Sequence, residues 1–160
     1  MRLRTPAEVK ARVAGERVLA WAASGASTVV ATDDALWLPP GPGPERVPWD
    51  LVLKVSWEPA GFELVSQERP GARADTRQVP VADLGTLPGV IKERVNASIV
   101  VARQVALDGE RGARIVARRT PGSTELRWSV VFDPGLDPRD PELRAAADEA
   151  LAALRGSLGV

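Results

Sequence analysis

The chain predicts an α+β fold, mostly antiparallel β, and three observations carry that prediction. Runs rich in Val, Leu and Trp between Gly15 and Trp57 are broken by turn residues at 24–27, at Asp33-Asp34 and at 39–44, the punctuation of a strand meander. Near residue 87 the apolar period lengthens from that of a strand to that of a helix, and further strand-like runs follow before a last helical stripe. Strands run together and helices stand apart, which favours α+β over an alternating α/β order.

Thr5-Pro6-Ala7-Glu8 fits a capping box with proline at the first helical position, Val9 and Val13 share a face, and Gly15 can end the turn. A short leading helix is expected there, lying as a lid over one end of the sheet. Residues 18–23, 28–32 and 35–38 read as strands, with the small residues 24–27 as a hairpin loop. From Val47 to Trp57 the alternation is strict and predicts one strand with Val47, Trp49, Leu51, Leu53, Val55 and Trp57 on the core face. A kink at Asp50 leaves that assignment intact unless it shifts the register by one residue.

Residues 62–66 and 77–81 make two more strands around the polar loop 67–76. Val90, Ile91, Arg94, Val95 and Ser98 fall at helical spacing and place a helix at about 87–97. Residues 99–107, 113–120 and 125–132 then form a three-strand meander in which Leu126, Trp128, Val130 and Phe132 point inward. The last helix starts at Asp140-Pro141-Glu142, buries Leu143, Ala147, Leu151 and Leu154, and stops at Gly156.

At 160 residues the chain has the size of one domain and can bury a core without staples, so residues 1–160 are expected to form a single domain. Its 21 basic and 21 acidic residues give a formal net charge of zero and no field to attract polyanions, so no nucleic-acid partner is expected. The absence of cysteine excludes disulfides, thiolate metal sites and thiol nucleophiles. Without histidine or tyrosine, proton transfer would fall to shifted carboxylates or to Lys10, Lys54 and Lys92, and the chain is not expected to be an enzyme. No glycine-rich phosphate loop, nucleophile elbow or metal-ligand spacing occurs, so neither cofactor nor metal is expected. The apolar run at 18–23 is too short for a signal-peptide core and follows Glu8 and Glu16, and no run is long enough for a membrane span; a cytoplasmic location is expected.

Gly15-Glu16 with Val18-Leu19-Ala20, then 29–38 with Thr32-Asp33-Asp34 at the turn, then Arg46-Val47-Pro48-Trp49-Asp50-Leu51-Val52, resembles the opening of bacterial pleckstrin-homology-like domains. The resemblance implies a PH-like barrel or sheet over residues 15–98, plugged at one end by the helix at 87–97, with 99–160 as a β-β-β-α extension. The chain is also similar, at 91–98, Arg118-Arg119 and 128–133, to a family of uncharacterised proteins of high-GC bacteria, a likeness that implies no activity. Pleckstrin-like barrels serve lipids, peptides and proteins alike, so the fold does not name a function.

Five tryptophans offer a stacking surface, but Trp49, Trp57 and Trp128 sit at core positions of their strands, leaving Trp21 and Trp37 as a candidate interaction patch. Arg114, Arg118 and Arg127 alternate with apolar neighbours and are expected to point away from the core of the second sheet, where they could clamp an anion or a partner's carboxylates. Asp133, Asp137 and Asp140 have carboxylates suited to a hard cation, yet their spacing is that of a turn-rich connector whose last member caps a helix. Asn96-Ala97-Ser98 fits a glycosylation sequon but falls in the predicted helix. The expectation is therefore a non-enzymatic interaction or scaffold module, self-associating or binding a protein. The alternative is a small anionic ligand or lipid-headgroup binder that uses the arginine face.

Overall fold

The computed structural model describes residues 5–69 and 72–159. The chain forms two compact units, Met1–Ser98 with Arg119–Glu125, and Ile99–Arg118 with Leu126–Val160. The first contains α1 (Ala7–Arg12), β1 (Val18–Ser24), β2 (Ser27–Thr32), β3 (Ala35–Trp37), β4 (Arg46–Pro48), a 3-10 turn (Trp49–Leu51), β5 (Val52–Glu58), β6 (Gly61–Ser66), β7 (Asp75–Pro80) and α2 (Leu87–Ser98). The second is built on β8 (Ile99–Asp108), β9 (Arg111–Arg119), β10 (Leu126–Phe132) and α3 (Pro141–Leu158). The α+β class is as the sequence predicts.

In the first unit the strands form a four-stranded sheet in the order β1-β2-β3-β4 and a three-stranded sheet in the order β5-β6-β7, with antiparallel neighbours in both. Ala20, Ala22, Val29, Ala31 and Leu36 of the first sheet share a core with Phe62 and Leu64 of β6, Val79 of β7, and Leu87 and Ile91 of α2. The other face of the first sheet is also covered. Val9 and Val13 of α1 and its turn pack with Val30, backed by Val18, Trp21 and Trp37. Strand β2 is thus buried on both faces, which explains why its apolar run Val29-Val30-Ala31 does not alternate with polar residues. The expected leading helix forms but covers this face of the sheet instead of one of its ends, and Thr5 does not cap it: Pro6 stands at the N-cap with no side-chain bond.

The single strand predicted over 47–57 is two strands. Pro48 ends β4, and a 3-10 turn buries Trp49, Asp50 and Leu51 before β5 begins. The register of β5 against β6 then shifts between Val52 and Lys54, a bulge that turns Val52 inward and leaves Leu53 39% exposed, the reverse of strict alternation. Val55 returns to the core, and Trp57 lies opposite Phe62 with ring centroids 5.4 Å apart. Trp57 is nonetheless 41% exposed, because β5 is an edge strand of its sheet, whereas its partner Phe62 on the middle strand is fully buried. Side-chain direction was predictable there; burial was not.

The break at the 3-10 turn also keeps β4 and β5 in separate sheets. Among the described residues the strands do not close into a barrel, which corrects the barrel form of the sequence expectation.

In the second unit the sheet order is β10-β9-β8, and the middle strand supplies the buried Ala113, Ile115, Val116 and Ala117. At Gly112 a Cβ would stand 1.7 Å from the Val105 carbonyl oxygen, so only glycine lets β9 approach β8 that closely. Asp133 ties the end of β10 to the start of β9 by accepting from the Gly112 N–H at 2.8 Å, and it also accepts from Gln104 Nε2. Trp128 is half-buried and not a core residue, with the Arg155 guanidinium 5.8 Å from its ring centre. The reason is that β10 lies at the sheet edge, and Val131 is 55% exposed. On α3 only Ala147 of the predicted stripe is fully buried, while Leu143, Leu151 and Leu154 are half-buried. The helix runs through Gly156 and ends at Gly159, whose left-handed φ of 72° lets its N–H reach the carbonyls of Arg155 and Gly156.

Candidate functional site

β1 is an edge strand. Its inner edge pairs with β2, and among the described residues no strand pairs with its outer edge. Beside that edge runs a groove of about 810 Å³, floored by residues 18–23 of β1 and walled by Ala82, Asp83, Gly85 and Thr86, with Val90 of α2. Thr5 also lines it, and among the described residues Asp83 is the one charged side chain in the lining. Its carboxylate accepts from the Gly85 N–H at 3.1 Å, so it shapes the wall's own turn.

The outer face of the same sheet carries a polar hub at Glu16. Its carboxylate accepts from the Thr32 hydroxyl at 2.6 Å, the Trp37 indole N–H at 3.1 Å and Arg46 Nε at 2.9 Å. Burial alone would raise its pKa, but these three donors and the Arg46 charge outweigh it and hold the carboxyl below its usual range. Thr32 in turn accepts from the N–H groups of Asp34 and Ala35, which fixes the turn between β2 and β3. On the core side the Thr32 carbonyl accepts the Trp49 indole N–H at 2.9 Å.

A second polar device holds the proline-rich loop after β3. Arg12 donates to the carbonyls of Thr28 and Leu38, and Arg77 donates to the Pro39 carbonyl. Burial lowers the Arg12 pKa most; Glu45 works against that and Arg77 adds to it. Both arginines serve the fold, since their bonds tie backbone oxygens together, Arg12 donating to the Thr28 hydroxyl at 3.1 Å as well.

The two tryptophans of the expected patch have different surroundings. Trp37 is half-buried, bonded to Glu16 and flanked by the Arg46 guanidinium 5.8 Å from its ring centre. Trp21 is half-buried against the α1 cluster and also lines the groove. Their Cα partners, Val30 for Trp21 and Val30 again for Trp37, put both on the α1 face of the sheet.

No family model, curated protein or solved structure matches this chain.

Among the arginines, Arg114 is exposed, Arg127 is half-buried and Arg118 is 7% exposed. They do not offer three equally presented guanidinium groups, because Arg118 lies among buried residues of β9. Among the described residues no three acidic side chains cluster to hold a metal. Asp140 accepts from the Glu142 N–H at 2.9 Å and caps α3, as its sequence context predicted. Asn96 and Ser98 lie in α2. No helix among the described residues is long and apolar enough to cross a membrane.

The groove was missed by sequence reading. The signal that could have found it is the composition of β1, Val-Leu-Ala-Trp-Ala-Ala-Ser, which lacks the lysine, proline or charge that ordinarily guards an edge.

Proposed function

We propose that this chain is a non-enzymatic interaction module that engages another polypeptide along the groove beside β1. The observation that carries the reading is an edge strand, β1, that among the described residues pairs with no second neighbour and lies beside a groove of about 810 Å³. Four strands, three strands and a helix in that order also support a pleckstrin-homology-like reading of residues 15–98, and such domains are frequent carriers of binding surfaces. The anionic-ligand alternative on Arg114, Arg118 and Arg127 draws less support, because Arg118 is buried.

The test is site-specific photocrosslinking in the producing cell, with a crosslinking side chain at Ala23 or Ala82, both exposed in the groove, and at Arg114 as the control. Polypeptide adducts formed from the two groove positions and not from Arg114 are expected. Adducts from Arg114 alone, or salt-sensitive retention of the chain on anionic vesicles, would favour the arginine face instead.

A further inference from the structure

A second pocket of the first unit, of about 250 Å³, shares no residue with the groove beside β1. Three segments far apart in the chain line it together with the buried Trp49: Asp33-Asp34 in the turn between β2 and β3, the last turn of α2, and the turn that follows β9. Each segment is held by bonds of its own. The Asp33 N–H donates to the Arg17 carbonyl at 3.2 Å, and the Ser98 hydroxyl donates to the Val95 carbonyl at 2.6 Å. Thr120 donates its hydroxyl to Asp50 at 3.1 Å, while its carbonyl accepts the Ser123 N–H at 3.0 Å. The walls are thus set before anything enters.

The lining carries four charged side chains, Asp33, Asp34, Arg94 and Arg119. Among the described residues the two carboxylates and the Arg119 guanidinium have no hydrogen-bond or ion-pair partner. Arg94 donates to Glu93 at 2.9 Å, but its Nε–H is buried with no acceptor, and a buried donor left unpaired is costly. Two negative and two positive groups around one small pocket restrict what can occupy it. A simple anion would meet the carboxylates, a simple cation would meet the guanidinium groups, and an uncharged molecule would strip water from four charges and offer no charge in its place. We infer that the pocket binds a small zwitterion, a free α-amino acid with an uncharged side chain. Its carboxylate accepts from the guanidinium groups of Arg94 and Arg119, and its ammonium gives its three N–H donors to Asp33 and Asp34. Ala97 and Pro121 leave an apolar surface for the ligand's side chain. The volume lies just below the range of about 300–1,000 Å³ typical of drug-sized ligands, so a molecule of amino-acid size fits and a peptide of several residues does not.

The experiment titrates the intact, isotope-labelled chain with free alanine, valine and leucine and follows the amide chemical shifts. Saturable shifts at the amides of Asp34, Ala97 and Gly122 are expected from at least one of the three. Acetate, alaninamide and glycine betaine lack the ammonium, the carboxylate and the N–H donors in turn, and each should bind at least about tenfold more weakly. Arg119→Ala and Asp34→Asn should weaken the amino acid by a similar factor while keeping the wild-type urea midpoint, since neither side chain has a partner among the described residues. Acetate bound as tightly as the amino acid would overturn the zwitterion in favour of a plain anion site, and alaninamide bound as tightly would overturn it in favour of a cation site. Full affinity in both variants would place the ligand elsewhere, and no saturable shift up to about 10 mM of any of the three would leave the four charges as ordinary surface groups; either result overturns the proposal. The three small-molecule controls act on the wild-type chain, so they decide the matter even where a variant fails to fold. None of these outcomes bears on crosslinking from Ala23 and Ala82, which tests the groove alone.

Discussion

Replacing Trp49 separates the two things this side chain does. It is 1% exposed within the main core, and its indole N–H donates to the Thr32 carbonyl at 2.9 Å. Trp49→Phe keeps most of the ring but leaves that buried carbonyl without its indole donor, a loss of about 1–3 kcal/mol. Trp49→Ala removes the ring too and should cost about 3–5 kcal/mol from the cavity, before any cost at the carbonyl. Trp57→Ala is the contrast: with 41% of its surface already in water, it should cost about 1–2 kcal/mol despite its contact with Phe62. Equilibrium urea unfolding followed by far-ultraviolet circular dichroism gives the three values, and hydrogen exchange at the β2 amides assigns the loss to the first unit. For a chain of this size about 2 kcal/mol lowers the melting temperature by about 4–8 °C. A Trp49→Phe change below about 0.5 kcal/mol, the range of ordinary surface substitutions, would refute the hydrogen-bond argument. Equal losses for Trp49→Ala and Trp57→Ala would refute the placement of the core.

Three other outcomes follow from single contacts. Glu16 has a folded pKa held below its unfolded value, so its contribution is complete above about pH 4.3 and is lost as pH falls through the lowered folded value; the stability gap between wild type and Glu16→Gln should narrow in acid, and a gap that widens there would contradict the donor set at Glu16. Gly61→Ala should destabilise by more than about 2 kcal/mol, because φ is 149° and the new Cβ would stand 2.0 Å from the Val79 carbonyl oxygen; a near-wild-type urea midpoint would show that β6 and β7 can separate freely. Asp140→Ala should cost about 1 kcal/mol by uncapping α3, and faster exchange confined to the first turn of that helix is the expected signature.

Where local chemistry decides structure, the sequence was readable. The turns at 24–27 and at Asp33-Asp34, the helix near 87 and the Asp140 cap all rest on residues within a few positions of each other. At Trp49–Leu51 a kink at Asp50 was readable but the full break into two strands was not, because the alternation of Val47, Trp49 and Leu51 survives in burial while the backbone turns through a 3-10 helix. The bulge that exposes Leu53 depends on the partner strand and has no local mark. Burial of Trp57 and Trp128 failed for a different reason: alternation states which way a side chain points, whereas the extent of the core depends on where each strand ends and which strand is an edge. Of the proposed site residues, Trp21 lines the groove and Trp37 is held by the Glu16 hub, a difference set by contacts sixteen to thirty positions away in the chain.

The first unit borrows Arg119–Glu125 from beyond two strands of the second, and Thr120 donates its hydroxyl to the buried Asp50 carboxylate at 3.1 Å. On the ribosome this reverses the usual order in which an amino-terminal unit is finished before the next begins. Residues up to Ser98 emerge first, but the Thr120 hydroxyl arrives only after β8 and all of β9 have been made, a wait of about 1–4 s at about 5–20 residues per second. Until then Asp50 lacks one of its native partners. A nascent chain stalled just short of Thr120 would thus carry a first unit less stable than the released protein, and pausing within the codons for residues 99–119 becomes a means of setting how long that state lasts.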